Sequence, residues 1–337
     1  MNIVSIGDQA RSFSLKLASS RLSTTLDVLV QELASGQSAD IGKRVNGNTG
    51  LLSHIETQMQ TNEQILRGLD EAIGSIDITL LTLDQVHSTV SDLAINIIND
   101  PVGESVTQLH SKSRHAEDIL NLTISRLNRE LNGQYLFSGQ TTDQRPLSSA
   151  SDILEHLEQV VTGLARADEV VAAVSSWFDA PPGFGGFLDS AFHGDQLERS
   201  AIVSPGEALS YTATAGDPNI RNTLKGLVLT SLVGKGVLSE DIAQQRQLLM
   251  HGGKILYDSA GDLLDVQAEL GYVASYINSK KLEITSHSTE MSFLRENIRQ
   301  VDEYETALAV NDVQTRMQLV YELVSRLSKL KLMDYIR

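Results

Sequence analysis

The apolar positions of this chain recur alternately three and four residues apart over long stretches, the spacing of a helix with one buried seam. In the first half the register runs Leu52, Ile55, Met59, Asn62, Leu66, Leu69, Ile73, Ile76, Leu80, Leu83, His87, Val90, Ala94 and Ile97. Only Asn62 and His87 interrupt it with polar groups, so the spacing predicts one helix, about 70 Å long at 1.5 Å per residue. Asp100, Pro101 and Gly103 are its stop. A second helix is predicted over 104–131, with Val106, Leu109, Ala116, Leu120 and Leu127 on its apolar face. The short break before it favours an antiparallel return.

The other half repeats the pattern. Ile242, Leu249, Leu256, Leu263, Leu270, Ile277, Ile284, Met291 and Ile298 are spaced by seven, with Val266, Val273, Leu294 and Val301 three residues after their partners. Unbroken, that helix is about 85–90 Å long. Gly252 and Gly253 fall inside it, but the seam keeps its phase across them, which predicts continuation and a close approach of a partner helix there. Both ends of the chain carry shorter seams: Leu15, Ser19, Leu22, Leu26, Leu29 and Leu33, and Val310, Val313, Met317, Val320, Val324 and Leu327. Each is offset from its long helix, by a Gly/Asn/Ser-rich stretch over 38–50 and by a phase slip between Val301 and Val310. The two ends read as matched partners that pair only once the whole chain is present.

Residues 133–250 hold most of the turn signals, among them Asn132-Gly133, Pro181-Pro182-Gly183, Pro205-Gly206 and Asp217-Pro218. Stretches 200–204 and 209–214 read as strands about a Pro-Gly turn, and 152–178 as one or two short helices. Asp217 is placed as an N-cap with Pro218 at the first helical position of a helix to about Val233. The fold class expected is mainly α: an elongated helical coiled-coil rod formed by the N- and C-terminal halves, with a small α/β insert between them. The expected division is 1–47 with 304–337 as terminal helices, 48–132 with 239–303 as the rod, and 133–238 as the middle domain.

Composition narrows the function. A net charge of −16 argues against nucleic acid, whose phosphates need Lys/Arg-rich surfaces. It also means that any homopolymer needs an apolar seam to overcome self-repulsion. The absence of cysteine removes disulfides, thiolate nucleophiles and Cys-ligated metals. Hydrophobic residues reach 41% but aromatics only 5%, which suits packing between helices. The first residues show no basic stretch followed by an apolar one, and no run of 18 apolar residues occurs, so neither a conventional cleaved signal nor membrane insertion is expected.

A search for chemistry yields no catalytic residue, no cofactor and no metal ligand. The eight histidines are scattered, and His110 and His115 lack the i, i+4 spacing of a helical zinc site. His87, on the seam, reads as a hydrogen-bonded core histidine. Gly234-Lys235-Gly236 fits a helix terminator rather than a phosphate loop. Glycines 183, 185 and 186 follow no strand and read as a loop, and Ser259 lacks the first glycine of a nucleophile elbow. Asn62 either fixes coiled-coil register as a buried polar group or sits in water at the rod end.

Several segments carry a family resemblance. Leu33-Ala34-Ser35-Gly36 followed by Lys43-Arg44-Val45 resembles an N-terminal segment of the flagellin superfamily. It departs from that segment by an insertion before Lys43 and by Asn46-Gly47-Asn48-Thr49-Gly50 in place of an Asp-Asp-Pro run. Ala268-Glu269-Leu270-Gly271 looks like a C-terminal helix segment of the same superfamily. Ile298, Val301 and Asp302 resemble its I-x-D-x-D region without the first Asp. Within the superfamily, Leu131-Asn132-Gly133-Gln134-Tyr135-Leu136-Phe137-Ser138-Gly139 is similar to a segment of the hook–filament junction proteins, the hook-associated protein 3 group.

The resemblance implies a structural adaptor of the bacterial flagellum with no catalysis, exported through the flagellar type III apparatus without a cleaved signal. It implies a homo-oligomeric ring between hook-associated protein 1 and flagellin, and an export chaperone on the C-terminal helix. The alternative it leaves is a filament-forming flagellin. Leu15, Leu22, Leu26, Leu29 and Leu33 with Val313, Met317, Val320, Val324 and Leu327 are the expected subunit and chaperone interface. Unpaired, the second group is an exposed apolar stripe suited to a groove that binds an amphipathic helix.

Overall fold

A computed structural model describes residues 6–45, 47–99 and 105–335, with side chains over 10–45, 47–99 and 105–326. Asp100, Pro101 and Gly103, expected to stop the first long helix, lie outside the described residues, as do Asn46 and the side chain of Leu327. Chain contacts divide the molecule into two compact units, residues 1–63 with 285–337 and residues 64–284. Ten helices and two small hairpins are described, so the fold is mainly α.

The described helices include one over each of the four seams. They are α1 (Ile6–Ser35), a short α2 (Ile41–Arg44), α3 (Gly50–Ile98), α4 (Val106–Leu127), α5 (Ala150–Val161), α6 (Ala167–Asp179), α7 (Phe187–Ser190), α8 (Pro218–Leu232), α9 (Ile242–Arg299) and α10 (Glu303–Tyr335). Strands β1 (Glu130–Leu131) and β2 (Gln134–Tyr135) pair across Asn132-Gly133. Both turn residues have positive φ, +53° and +79°, as a tight hairpin requires. Strands β3 (Arg199–Ser204) and β4 (Glu207–Tyr211) pair antiparallel across Pro205-Gly206.

In the unit of residues 64–284, α9 returns antiparallel along α3. His87 Nδ1 donates to the Ala260 carbonyl at 2.9 Å, and Lys281 pairs with Asp70 at 2.5 Å. The seam histidine is thus a half-buried, hydrogen-bonded one. The buried face of α3 is wider than a coiled-coil seam: Ile65, Ala72, Thr79, Val86 and Leu93 form a second row at sevens. A row of that width needs more than one partner. The second partner is α4, which also runs antiparallel to α3. Arg126 Nη1 donates to the Gln85 carbonyl and Thr89 Oγ1, each at 3.0 Å, and Lys112 Nζ to the Asn96 carbonyl at 3.1 Å. A capping box of Ser105 and Gln108 starts α4.

Helix α8 is the centre of this unit. From Thr223 to Leu232 every side chain is buried, the signature of a helix enclosed on all sides. Its N-cap is Asp217, whose carboxylate accepts the Asn219 amide at 2.8 Å, with Pro218 in the first turn. Ser113 of α4 closes the other end, donating to the Thr230 and Ser231 carbonyls and accepting the Gly234 amide at 2.6 Å. Gly236 then takes a φ of +88° and ends the run, as a terminator should.

Helix α9 is continuous through Gly252 and Gly253. A Cβ at Gly252 would lie 2.6 Å from Thr230 Cγ2 and 3.1 Å from the Thr230 amide nitrogen. At Gly253 it would lie 2.5 Å from Ile97 Cγ2, and at Gly226 2.8 Å from Leu256. Three glycines therefore set the spacing of α8, α9 and α3. Two seam positions of α9, Ile242 and Leu294, are about 40% exposed. Ile242 is the first residue of the helix.

Candidate functional site

The helices expected to contact other molecules are α1 and α10, and the site is built at their inner ends. Helix α1 stops at Gly36, whose φ of +69° needs no Cβ and whose amide donates to the Glu32 carbonyl at 2.8 Å. The chain then meets the end of α9. Ser38 N donates to the Arg299 carbonyl at 2.9 Å and Val301 N to the Gly36 carbonyl at 3.0 Å, so Gln37 and Gln300 form an antiparallel bridge. Asp302 opens α10 by accepting the Tyr304 and Glu305 amides at 2.9 and 3.0 Å.

Side chains reinforce the junction. The Glu32 carboxylate accepts the Ala39 amide at 2.8 Å and the Ser38 hydroxyl at 3.2 Å. Gln37 Nε2 donates to Glu296 at 3.1 Å, Arg44 Nε to the Ile298 carbonyl at 2.9 Å, and Arg299 pairs with Glu56 at 3.0 Å. At the start of α2 the backbone amide and ammonium of Lys43 hold the Asp40 carboxyl below its ordinary value. The segments around Gly36 and Arg44 and around Ile298 and Asp302, far apart in sequence, are therefore one structural element. Close by, Asn62 is buried at 7% exposure, donating to Ser288 Oγ at 3.1 Å and lying 3.2 Å from His287 Nδ1. Of its two readings, the buried cross-helix polar contact is the one observed.

Beyond this junction α1 and α10 pack along each other, antiparallel. The pairing is thin. No side chain from Ala10 to Ser35 is buried, and α10 buries Thr306, Val310 and Val313. Leu15, Leu22, Leu26 and Leu29 are half-buried and Leu33 is 36% exposed. Val313 is buried, Met317 and Val320 are half-buried, and Val324 is 44% exposed, so burial falls away toward the outer end of α10. These residues sit on the side by which the two helices meet. Apolar side chains off that seam, which the seam register passes over, are left in solvent: Phe13 is 69% exposed and Leu319 56%.

The 131–139 segment has a packing role inside the other unit. Leu136 and Phe137 are buried, and the Phe137 carbonyl accepts the Ala215 amide at 2.9 Å. Asp195 clamps the adjoining turn, accepting the Gln140 amide at 2.8 Å, the Thr141 hydroxyl at 2.6 Å and the Leu197 amide at 3.1 Å. Burial pushes this carboxyl up, but the hydrogen bonds from Thr141, Gln140 and Leu197 outweigh it and leave it below its ordinary value. The 183–186 loop is closed in the same way: the Gly183 and Gly185 amides donate to Asp189 and lower its carboxyl. Those amides are spent on a side chain of the same loop.

Among the described residues there is no group of three or more His, Cys, Asp or Glu that could hold a metal ion. No described helix is long and apolar enough to cross a membrane. A cleft lined by Ser75, Leu136, Arg199, Tyr211 and Leu270 has room for about one water molecule.

Residues 255–336, which take in most of α9 together with α10, match the family described as the bacterial flagellin C-terminal helical region. A search of curated proteins by sequence returns no match. Among solved structures, a protein named as flagellar hook-associated, from Vibrio parahaemolyticus, superposes with a TM-score of 0.53 at 14% identity, covering 74% of this chain and 95% of that one. FlgL of Bacillus cereus gives 0.48 at 12% identity, covering 71% and 96%. At these identities the first of the two speaks for a shared fold.

Proposed function

We propose that this chain is a structural adaptor of the bacterial flagellum, assembling as a ring at the junction of hook and filament and connecting hook-associated protein 1 to flagellin. The observation that carries the reading is the state of the α1/α10 pair: two long apolar-rich helices, tied together at the Gln37–Gln300 bridge, with no buried side chain from Ala10 to Ser35. Such a pair gains its packing from neighbours. The flagellin C-terminal match spans α10 and its junction, and the hook-associated name of the Vibrio parahaemolyticus structure supports a flagellar setting. The mechanism is mechanical. Terminal helices pack with those of adjacent subunits.

Export through the flagellar type III apparatus, with a chaperone covering the apolar stripe of α10 beforehand, belongs to the same reading. A chaperone groove would take Val313, Met317, Val320, Val324 and Leu327 as one face of an amphipathic helix. The second reading, a filament-forming flagellin, is favoured by the family description of residues 255–336. Deletion in the source bacterium separates them. Intact hooks with flagellin shed into the medium support the adaptor, and loss of filament protein from capped hooks supports the flagellin. Normal flagella refute both.

A further inference from the structure

Between Arg145 and Arg199 the chain holds nine acidic residues and one cation, Arg166. Arg166 pairs with Asp168 at the start of α6. At the other end of α6 lies an aromatic floor: Trp177 meets Phe178 and Phe187 edge-on, and Phe178 stacks on Phe187. From this floor the chain turns out through Pro181-Pro182-Gly183-Phe184-Gly185-Gly186. Phe184, in that turn, is 79% exposed, the highest of the large apolar side chains among the described residues. The loop that carries it is tightly built. The Gly183 amide donates to both Asp189 oxygens, at 2.8 and 3.0 Å, and the Gly185 amide to Asp189 Oδ2 at 2.7 Å. A Cβ at Gly186 would lie 2.4 Å from Ala180 Cβ and 2.5 Å from the Trp177 carbonyl oxygen, so the loop folds back closely on the end of α6. An aromatic held in solvent on a fixed backbone loses little entropy on binding.

The charges around this floor are uneven in depth. Asp179 and Asp189 are exposed, and α5 brings the exposed His156, its ring 5.4 Å from that of Trp177, with Glu155 beside it and Asp152 one turn before. The cations that reach this end of α6 come from α8 and are sunk. Arg221 Nη1 donates to the Phe178 carbonyl at 2.6 Å, and Lys225, 8% exposed, pairs with Asp179 at 3.0 Å. The surface that meets solvent near Phe184 is therefore acidic. We propose that the Phe184 loop is a docking site for a basic protein segment. Phe184 packs among the aliphatic stems and guanidinium groups of that segment, and the carboxylates of α5, α6 and α7 face its Lys and Arg charges. Charge selects this occupant: a second copy of the chain, at −16, meets like charge here, as do nucleic acid and anionic lipid headgroups. The site lies beyond the assembly reading above and does not depend on it.

The test is calorimetric titration of the purified full chain with the peptide Gly-Arg-Leu-Arg-Leu-Arg-Gly, and with the same peptide carrying Glu in place of each Arg. The basic peptide is expected to bind, more weakly as salt rises, and the acidic one not to bind. Because any acidic protein attracts a basic peptide, the aromatic decides the matter. Phe184→Ser is expected to weaken binding by at least about threefold, and Glu155→Gln by a smaller factor. Glu290→Gln, which removes one exposed charge in the other compact unit, leaves it unchanged. Phe184 is exposed, so its loss leaves the fold intact, and Trp177 emission in urea verifies this for each variant. Three results overturn the proposal: no binding by wild type, equal binding by Phe184→Ser, or equal loss in Glu290→Gln. Self-association of the chain that Phe184→Ser abolishes, read by sedimentation, also overturns it, since the occupant is then a second copy. The readout is binding rather than motility, so none of these results bears on the deletion phenotype.

Discussion

Helix α9 contains glycines in two opposite situations, which gives one substitution two signs. Gly261 is exposed, mid-helix, and a Cβ there would meet nothing within 4 Å. Gly261→Ala therefore gains only helix propensity, about 0.8–1 kcal/mol. Gly252 has the same helical conformation and the same propensity to gain. Its Cβ, however, would lie 2.6 Å from Thr230 Cγ2, 3.1 Å from the Thr230 nitrogen and 3.2 Å from the Gly226 carbonyl oxygen. Carbon atoms settle at about 3.5–4 Å, and two of the three neighbours are backbone, so α8 and α9 must move apart by about 0.5–1 Å. Overpacking of this kind costs about 1–3 kcal/mol.

The net for Gly252→Ala is thus a loss of about 0–2 kcal/mol against a gain of about 1 for Gly261→Ala, a gap of about 1–3 kcal/mol on the same helix. For a unit the size of 64–284 that corresponds to about 2–4 °C per kcal/mol in thermal midpoint. The readout is built in. Trp177 is the only tryptophan and is 8% exposed inside that unit, packed edge-on against Phe178 and Phe187. Its fluorescence in urea or on heating follows the unit that holds both glycines. If Gly252→Ala stabilises as much as Gly261→Ala, the two helices do not approach as closely as Gly226 and Gly252 require, and the reasoning fails.

Gly139→Ala should unfold the insert or cost more than about 3 kcal/mol, because φ is +75° and a Cβ would overlap both the Asp195 carboxylate and its carbonyl; Trp177 emission in urea measures it. Asp195→Ala should cost about 1–3 kcal/mol by orphaning the Gln140 and Leu197 amides and the Thr141 hydroxyl. Its carboxyl is held below the ordinary value, so its contribution is complete above the normal carboxylate range and is lost as pH falls through the folded value; a wild-type acid titration less steep than that of Asp195→Ala would contradict this. In the monomer, amides of α1 should exchange far faster than those of α8, since α1 buries nothing from Ala10 to Ser35 and α8 is enclosed; comparable protection in hydrogen exchange would count against it. Leu22→Asp or Val320→Asp should leave 64–284 folded, with an unchanged Trp177 midpoint, but block assembly; motile cells with attached filaments would refute the second half.

Much of the helical fold was legible because one stripe at sevens fixes a helix over many turns. The α9 register survives Gly252 and Gly253 because the phase of Leu249 and Leu256 does not slip across them, and the structure keeps one helix there. Asp217-Pro218 located the start of α8 through cap chemistry alone. What the stripe could not show is how many partners a helix has. Thr79 and Thr82 look like solvent positions beside the α3 seam, yet they are buried, with hydroxyls returned to the Ser75 and Ile78 carbonyls. Thr79 lines a cleft with Leu136, Arg199 and Tyr211 of the insert, residues far away in sequence. Asp195 is the same case: nothing near residue 195 predicts that it clamps Gly139 and Gln140.

At the terminal helices the limit is different. A seam is found by asking which apolar positions keep time, and that question returns Leu15, Leu22 and Leu29 first, because their register is unbroken. Phe13, Leu17 and Val28 keep time as well, but over eleven residues, and a polar residue, Thr24, stands between Leu17 and Val28. They lie off the seam by which α1 meets α10, and the structure leaves them exposed, from 38% at Val28 to 69% at Phe13. A helix that is half-buried on its strongest stripe and exposed on its second carries more apolar surface than one intramolecular partner can cover. The strongest stripe is consumed in joining the ends of the chain, which leaves side chains such as Phe13 and Leu319 uncovered within one chain.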